Sequence, residues 1–219
     1  MCHYGLQWPL ILKRLESSLK TDYDSVFTLS KDFQEPYHIL IATIISSRTK
    51  DEIMYSAAKK IFKRAPNLSD LLTVPVEEIA RLIYPVGFYR TKAANLMKLA
   101  KILFFEFDGK VPSSMVELLK LPGVGRKTAN LVLGIGFGIP AICVDTHVHR
   151  IANRIGLVQT KDPEETEKTL MEIIPKKYWI IINKILVNYG QQICTSISPF
   201  CSICTVNKMC NKKGVINSR

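Results

Sequence analysis

From Trp8 to the last long apolar segment, the apolar residues recur every three or four positions, and no convincing alternation with period two is present. That spacing gathers them on one stripe of a helix rather than one face of a strand, so the periodic segments read as helices and no strand is expected. Gly and Pro fall mostly between the periodic segments, where they end one helix and begin the next. Helices are expected over residues 8–20, 37–46, 91–107, 114–120, 127–137, 163–174 and 177–191. Segment 37–46 is apolar almost all round and reads as a central buried helix. Asp51 is expected to cap a helix carrying Ile53, Met54, Ala57, Ala58, Ile61 and Phe62, broken at Pro66-Asn67. Ser69 is expected to start a short helix, and Pro75 to be the first residue of the next. Ser114 with Glu117 forms a plausible capping box. Asp145 stands where the N-cap of a helix reaching residue 157 would stand.

The helices at 114–120 and 127–137 are joined by Leu121-Pro122-Gly123-Val124-Gly125-Arg126. Two glycines in a tight connection tolerate positive φ and admit a ligand close to the backbone. The N–H groups of Gly123, Val124, Gly125 and Arg126 are expected to open the second helix without carbonyl partners one turn back, which suits an anion. The segment therefore reads either as a helix-hairpin-helix that grips a nucleic-acid backbone or as a plain helical corner. The chain has 219 residues, room for one large or two small domains, and a net charge of +11, which points to a polyanionic partner. No apolar run approaches the roughly 20 residues of a membrane span. Residues 1–12 lack the basic start and small-residue cleavage site of a secretory signal, so a cytoplasmic protein in contact with genomic DNA is expected.

Four of the six cysteines lie close together near the end of the sequence: Cys194, Cys201, Cys204 and Cys210. In a reducing compartment such a group is a metal site more often than a disulfide framework. Zinc ribbons usually pair two short knuckles, whereas only Cys201 and Cys204 are closely spaced here. Four thiolates also suit a [4Fe–4S] cluster, which the spacing favours over zinc. Cys2 and Cys143 are left over, Cys143 as a small buried residue. Lys127 follows the hairpin directly, in a first helical turn whose dipole opposes its charge. A lysine so placed is a candidate Schiff-base nucleophile, or else contacts phosphate or water. Asp145 is a candidate for steadying positive charge, beside its capping role. His147 and His149 share a basic segment with Arg150, where phosphate contact or exposure is expected in preference to metal ligation.

Taken together, Leu121-Pro122-Gly123-Val124-Gly125-Arg126-Lys127-Thr128-Ala129, Val144-Asp145-Thr146-His147, Gly87-Phe88-Tyr89-Arg90-Thr91-Lys92-Ala93 and the cysteine pattern resemble the endonuclease III family of DNA base-excision glycosylases. The resemblance covers nearly the whole chain. It implies two helical domains flanking a DNA-binding cleft: a six-helix barrel with the helix-hairpin-helix at 25–138, and an iron–sulfur cluster domain formed by 1–24 and 139–219. It implies a monomer acting on double-stranded DNA that carries oxidised pyrimidines or abasic sites, with the damaged nucleotide flipped out. The family's catalytic lysine falls on Lys127 and its aspartate on Asp145, which implies a bifunctional glycosylase and abasic-site lyase. Adenine glycosylases of the superfamily lack that lysine, and thymine-mismatch glycosylases carry tyrosine there.

Expected DNA contacts are Arg48, Phe88, Gly123, Val124, Gly125, Arg126 and His147. Relatives often have glutamine near the position of Arg48, filling the gap left by the flipped nucleotide, and leucine as a wedge at Phe88. They also carry a basic loop between the first two cysteines. Here residues 195–200 contain no Lys or Arg. Lys208, Lys212 and Lys213 are candidates to replace that contact. The competing reading is a non-catalytic iron–sulfur protein that binds DNA or senses damage.

Overall fold

The computed structural model describes residues 8–19 and 26–219. Cys2, Lys20 and the expected domain boundary at 24–25 lie outside the described residues. Among those residues every regular element is helical. In chain order these are α1 (Trp8–Ser17), α2 (Val26–Leu29), α3 (Pro36–Ser46), α4 (Asp51–Arg64), α5 (Leu68–Thr73), α6 (Val76–Ile83), α7 (Tyr89–Glu106), α8 (Met115–Leu118) and α9 (Arg126–Leu131). A π-helical segment (Val132–Gly136) continues α9, followed by α10 (Thr146–Ile155), α11 (Pro163–Ile173), a 3-10 turn (Lys176–Tyr178), α12 (Trp179–Gln192) and a second 3-10 turn (Asn207–Met209). By its internal packing the chain divides into two compact units, Tyr23–Ile139 and Met1–Asp22 with Pro140–Arg219.

The unit Tyr23–Ile139 is built around α3. Tyr37 and every residue from Ile39 to Ile45 are buried, so α3 meets apolar neighbours on all sides. Packed on it are α2, α4, α7, α9 and the π-helical segment. Helix α4 offers the stripe Met54, Ala57, Ala58, Ile61 and Phe62. Each fully buried Leu or Ile stabilises the unit by roughly 1.5–3 kcal/mol. Local capping differs from expectation in three places. Lys50, not Asp51, is the N-cap of α4 and makes no side-chain cap; Asp51 instead contributes its charge to the first turn. Asn67 caps α5 by accepting from the Asp70 N–H (2.9 Å), so that helix starts one residue before Ser69. Pro75 is the N-cap of α6 rather than its first residue. The helix expected over 127–137 is α-helical only to Leu131, and the wider π turns run along α3.

In the second unit α1 presents Trp8, Ile11, Leu12 and Leu15 on one stripe. That stripe joins a core with Val148, Ile151, Ala152 and Ile155 of α10, Leu170 of α11, and Ile182, Ile185, Leu186 and Tyr189 of α12. The segment beyond α12 is tied back to α10: the Asn211 N–H donates to the Ile155 carbonyl (3.2 Å) and the Lys213 N–H to that of Arg154 (3.3 Å). No helix among the described residues is long and apolar enough to cross a membrane.

Candidate functional site

The connection between α8 and α9 is a tight turn. Ser114 caps α8, its Oγ accepting from the Glu117 N–H (3.3 Å) and donating to Glu117 Oε2 (2.6 Å). Leu121 is buried and anchors the turn. Gly123 has φ +82°, which a side chain would strain. Gly125 is the extended N-cap of α9 and supplies no side-chain cap. Arg126 and Lys127 follow as the first two residues of α9; both are exposed, while Ala129, Asn130 and Leu131 are buried. Val124 departs from expectation. It is buried, and its N–H donates to the Leu121 carbonyl (3.1 Å), so that donor closes the turn instead of facing a ligand.

Two further loops of this unit meet at their backbones. The turn after α3 carries Arg48 with φ +51°, and the turn before α7 carries Phe88 with φ +58°. Phe88 is 62% exposed, and the Arg48 guanidinium stands 5.6 Å from its ring centroid. Lys92, four residues into α7, is buried; its Nζ donates to the carbonyls of Ile45 (2.9 Å) and Ser47 and to Thr49 Oγ1 (3.3 Å). Burial pushes the Lys92 ammonium down to about 8. Sequence reasoning gave Lys92 no role. Its signal was a lysine on the buried stripe of α7, in register with Leu96, Leu99 and Leu103.

In the other unit Asp145 is the N-cap of α10. Its Oδ1 accepts from the N–H groups of His147 (2.9 Å) and Val148 (3.0 Å), which holds the half-buried carboxylate in one orientation. His147 Nδ1 meets Arg150 Nη2 at 3.1 Å, and the same guanidinium nitrogen donates to the carbonyls of Gly190 (3.1 Å) and Cys194 (2.9 Å). Burial lowers the pKa of Arg150. His149 is half-buried and turns inward, with Nδ1 2.6 Å from Thr166 Oγ1, rather than outward as expected.

All four clustered cysteines line one cavity, together with Ile151, Arg154 and Tyr189. Three donors point at their sulfurs: Tyr189 OH at Cys204 (3.1 Å), Arg154 Nη1 at Cys194 (3.6 Å) and the Lys212 N–H at Cys210 (3.3 Å). Donors aimed at sulfur favour thiolate ligands, so these residues fit a group held by four thiolates. Among the described residues no three His, Cys, Asp or Glu side chains are gathered as for a single metal ion. In the loop at 195–200 Ile197 is 84% exposed, and the guanidinium of Arg219 lies 3.8 Å from the Phe200 ring centroid and donates to the Ser198 carbonyl (3.0 Å). The loop without basic residues thus borrows a cation that sequence reasoning missed.

Residues 41–176 match the family model described as HhH-GPD superfamily base excision DNA repair protein. Endonuclease III of Thermotoga maritima is 45% identical over 176 residues, which cover 80% of this chain and 83% of that protein. The chain belongs to the endonuclease III family. Endonuclease III of Bacillus subtilis is 39% identical over 83% of this chain and 86% of its own length. A solved structure of a trapped endonuclease III–DNA covalent intermediate, an estranged-adenine complex, aligns with a TM-score of 0.85 and 36% identity over 97% of both chains. This endonuclease III-family protein is accordingly a DNA-binding glycosylase and abasic-site lyase of base-excision repair, with the all-α fold of that family.

Proposed function

We propose that this protein removes oxidised or ring-fragmented pyrimidines from duplex DNA and cleaves the strand 3′ to the resulting abasic site, with Lys127 as nucleophile. The observation that carries the reading is the exposed Lys127, one residue into a helix that opens from a two-glycine hairpin. The unprotonated Nζ attacks C1′ of the deoxyribose, and the glycosidic bond breaks with its electron pair and a proton going to the base. Opening of the C1′–O4′ bond then yields the Schiff base. Loss of a C2′ proton expels the 3′ phosphate by β-elimination, and water releases the amine.

Asp145 steadies the positive charge that develops at C1′. Its two capping bonds serve that role by fixing the carboxylate's orientation. Backbone N–H groups at Gly123 and Gly125, with the Arg126 side chain, take phosphate. Arg48 and Phe88 enter the duplex at the flipped nucleotide, and His147 lies beside the backbone. The protein acts as a monomer on genomic DNA in the cytoplasm.

We further propose that Cys194, Cys201, Cys204 and Cys210 hold a [4Fe–4S] cluster. The donors aimed at the sulfurs and the shared cavity that all four cysteines line support it. Such a cluster, when bound, supplies a crosslink for a segment with little core of its own. The deciding experiment is borohydride trapping on duplexes containing thymine glycol or an abasic site. Wild-type protein gives a covalent complex and Lys127→Ala gives none; trapping by Lys127→Ala would reject the nucleophile. Four irons and four sulfides per chain would support the cluster, and stoichiometric zinc would reject it.

A further inference from the structure

Lys92 is a buried cation that the reaction above does not use. Its acceptors are the carbonyls of Ile45 and Ser47 and the hydroxyl of Thr49. The two carbonyls belong to the last turn and cap of α3, where helical partners run out. Helix α3 has no basic residue of its own in that turn. A cation there faces the negative end of the helix dipole, and α7 supplies it from far along the chain.

Between those acceptors lies Arg48, in a left-handed conformation that a long side chain rarely adopts unaided. Phe88, also left-handed, immediately precedes the helix that carries Lys92. Thr49 joins the two turns, because its Oγ1 accepts from both the Gly87 N–H (3.1 Å) and Lys92 Nζ (3.3 Å). A Cβ at position 87 would lie 2.5 Å from the Arg48 carbonyl oxygen, so the backbones approach where only glycine fits. The Arg48 guanidinium then leans on the Phe88 ring. Two residues with unfavourable backbone are thereby tied into one platform, with Lys92 and Thr49 beneath it.

We propose that Lys92 is a positioning residue that holds Arg48 and Phe88 as a single two-part wedge for the duplex. The inference rests on the reading that those two side chains enter DNA at the flipped nucleotide. A wedge must resist restacking of the bases it separates, and its resistance is only as good as the anchoring of its roots. Lys92 anchors both roots without touching DNA.

The test compares two substrates with full-length protein. Single-turnover excision of thymine glycol from a duplex needs the wedge. Borohydride trapping of an abasic site in a single strand has no duplex to open. Lys92→Met is expected to slow duplex excision by about tenfold or more while leaving single-strand trapping within about twofold. In an Arg48→Ala/Phe88→Ala background the same substitution is expected to add less than about twofold, as for residues acting as one unit. Thr49→Val is expected to act in the same direction and decides by the same criteria if Lys92→Met does not fold. Equal losses on both substrates, or full additivity, would overturn the proposal. If Arg48→Ala/Phe88→Ala excises duplex lesions at the wild-type rate, the wedge reading itself is wrong. If that protein is slow and Lys92→Met is not, the wedge stands and the role of Lys92 falls.

Discussion

Helices α9 and α10 begin in opposite ways. Helix α9 opens from Gly125 without a side-chain cap and carries Arg126 and Lys127 in its first turn. Helix α10 opens from Asp145, whose carboxylate accepts two backbone N–H groups. By the rules of helix stability α10 is well made and α9 is not, since cations oppose the dipole at that end. The contrast separates two kinds of work. A start that satisfies itself holds a carboxylate steady. A start that leaves its own acceptor out, and adds positive charge, is suited to an anion from outside.

The sharpest way to break this contrast is Lys127→Ala. It is expected to lower lyase turnover and borohydride trapping by on the order of 10³-fold or more, with DNA affinity measured by fluorescence anisotropy changing far less. The matching substitution in α10 is Asp145→Asn, which keeps a capping oxygen but removes the charge. Base excision under single-turnover conditions is expected to fall by about 10²-fold, with the melting temperature held. Asp145→Ala removes the cap as well and is expected to cost about 1 kcal/mol more in stability, read as a fall of about 2–4 °C in melting temperature. An unchanged melting temperature would show that the cap matters less than its geometry suggests.

Gly125→Asp makes α9 start as α10 does. The N-cap is extended and nothing lies within 4 Å of the position a Cβ would take, so the side chain fits. The substitution is expected to leave stability level or raise it by a few tenths of a kcal/mol, and to weaken duplex binding by about tenfold at low salt. Unaltered binding would mean that the hairpin does not grip the backbone. The smallest effect concerns the opposite end of a helix, where Lys92 faces the carbonyls of α3. In the folded chain burial pushes its ammonium from the ordinary 10.5 down to about 8. Between those values the unfolded chain holds more protons, so the contribution of Lys92 to stability rises with pH across that window. Urea unfolding midpoints of wild type and Lys92→Met are therefore expected to diverge in favour of wild type from about pH 8 upward. Midpoints that stay parallel would show that burial does not depress this lysine.

Much of this molecule is readable before its coordinates. Helical period exposed α1 and α4 because their apolar stripes are clean, and α3 was legible because it is apolar almost all round. Asp145 was legible as a cap because a carboxylate before a helix has few other uses, and the cysteines were legible because little else explains such crowding. The misses share a cause. Asp51 looked like a cap, but the chain began the helix one residue earlier, and nothing in the local sequence separates those registers. Val124 looked like an outward donor, but closing the turn takes its N–H back to Leu121. The π turns after Leu131 have no sequence signature and run where the segment packs on α3.

Local chemistry in the sequence therefore determined the helical segments, the tight turn between α8 and α9, the Asp145 cap and the crowding of the four cysteines, because each depends on neighbours close along the chain. Tertiary structure alone decided that Lys92 closes the end of a helix from 45 residues away, that Gly87 lies against the Arg48 backbone, and that Arg219 covers the cysteine loop. Those contacts arise where separate segments meet, and what a buried charge does depends on which acceptors the fold brings to it.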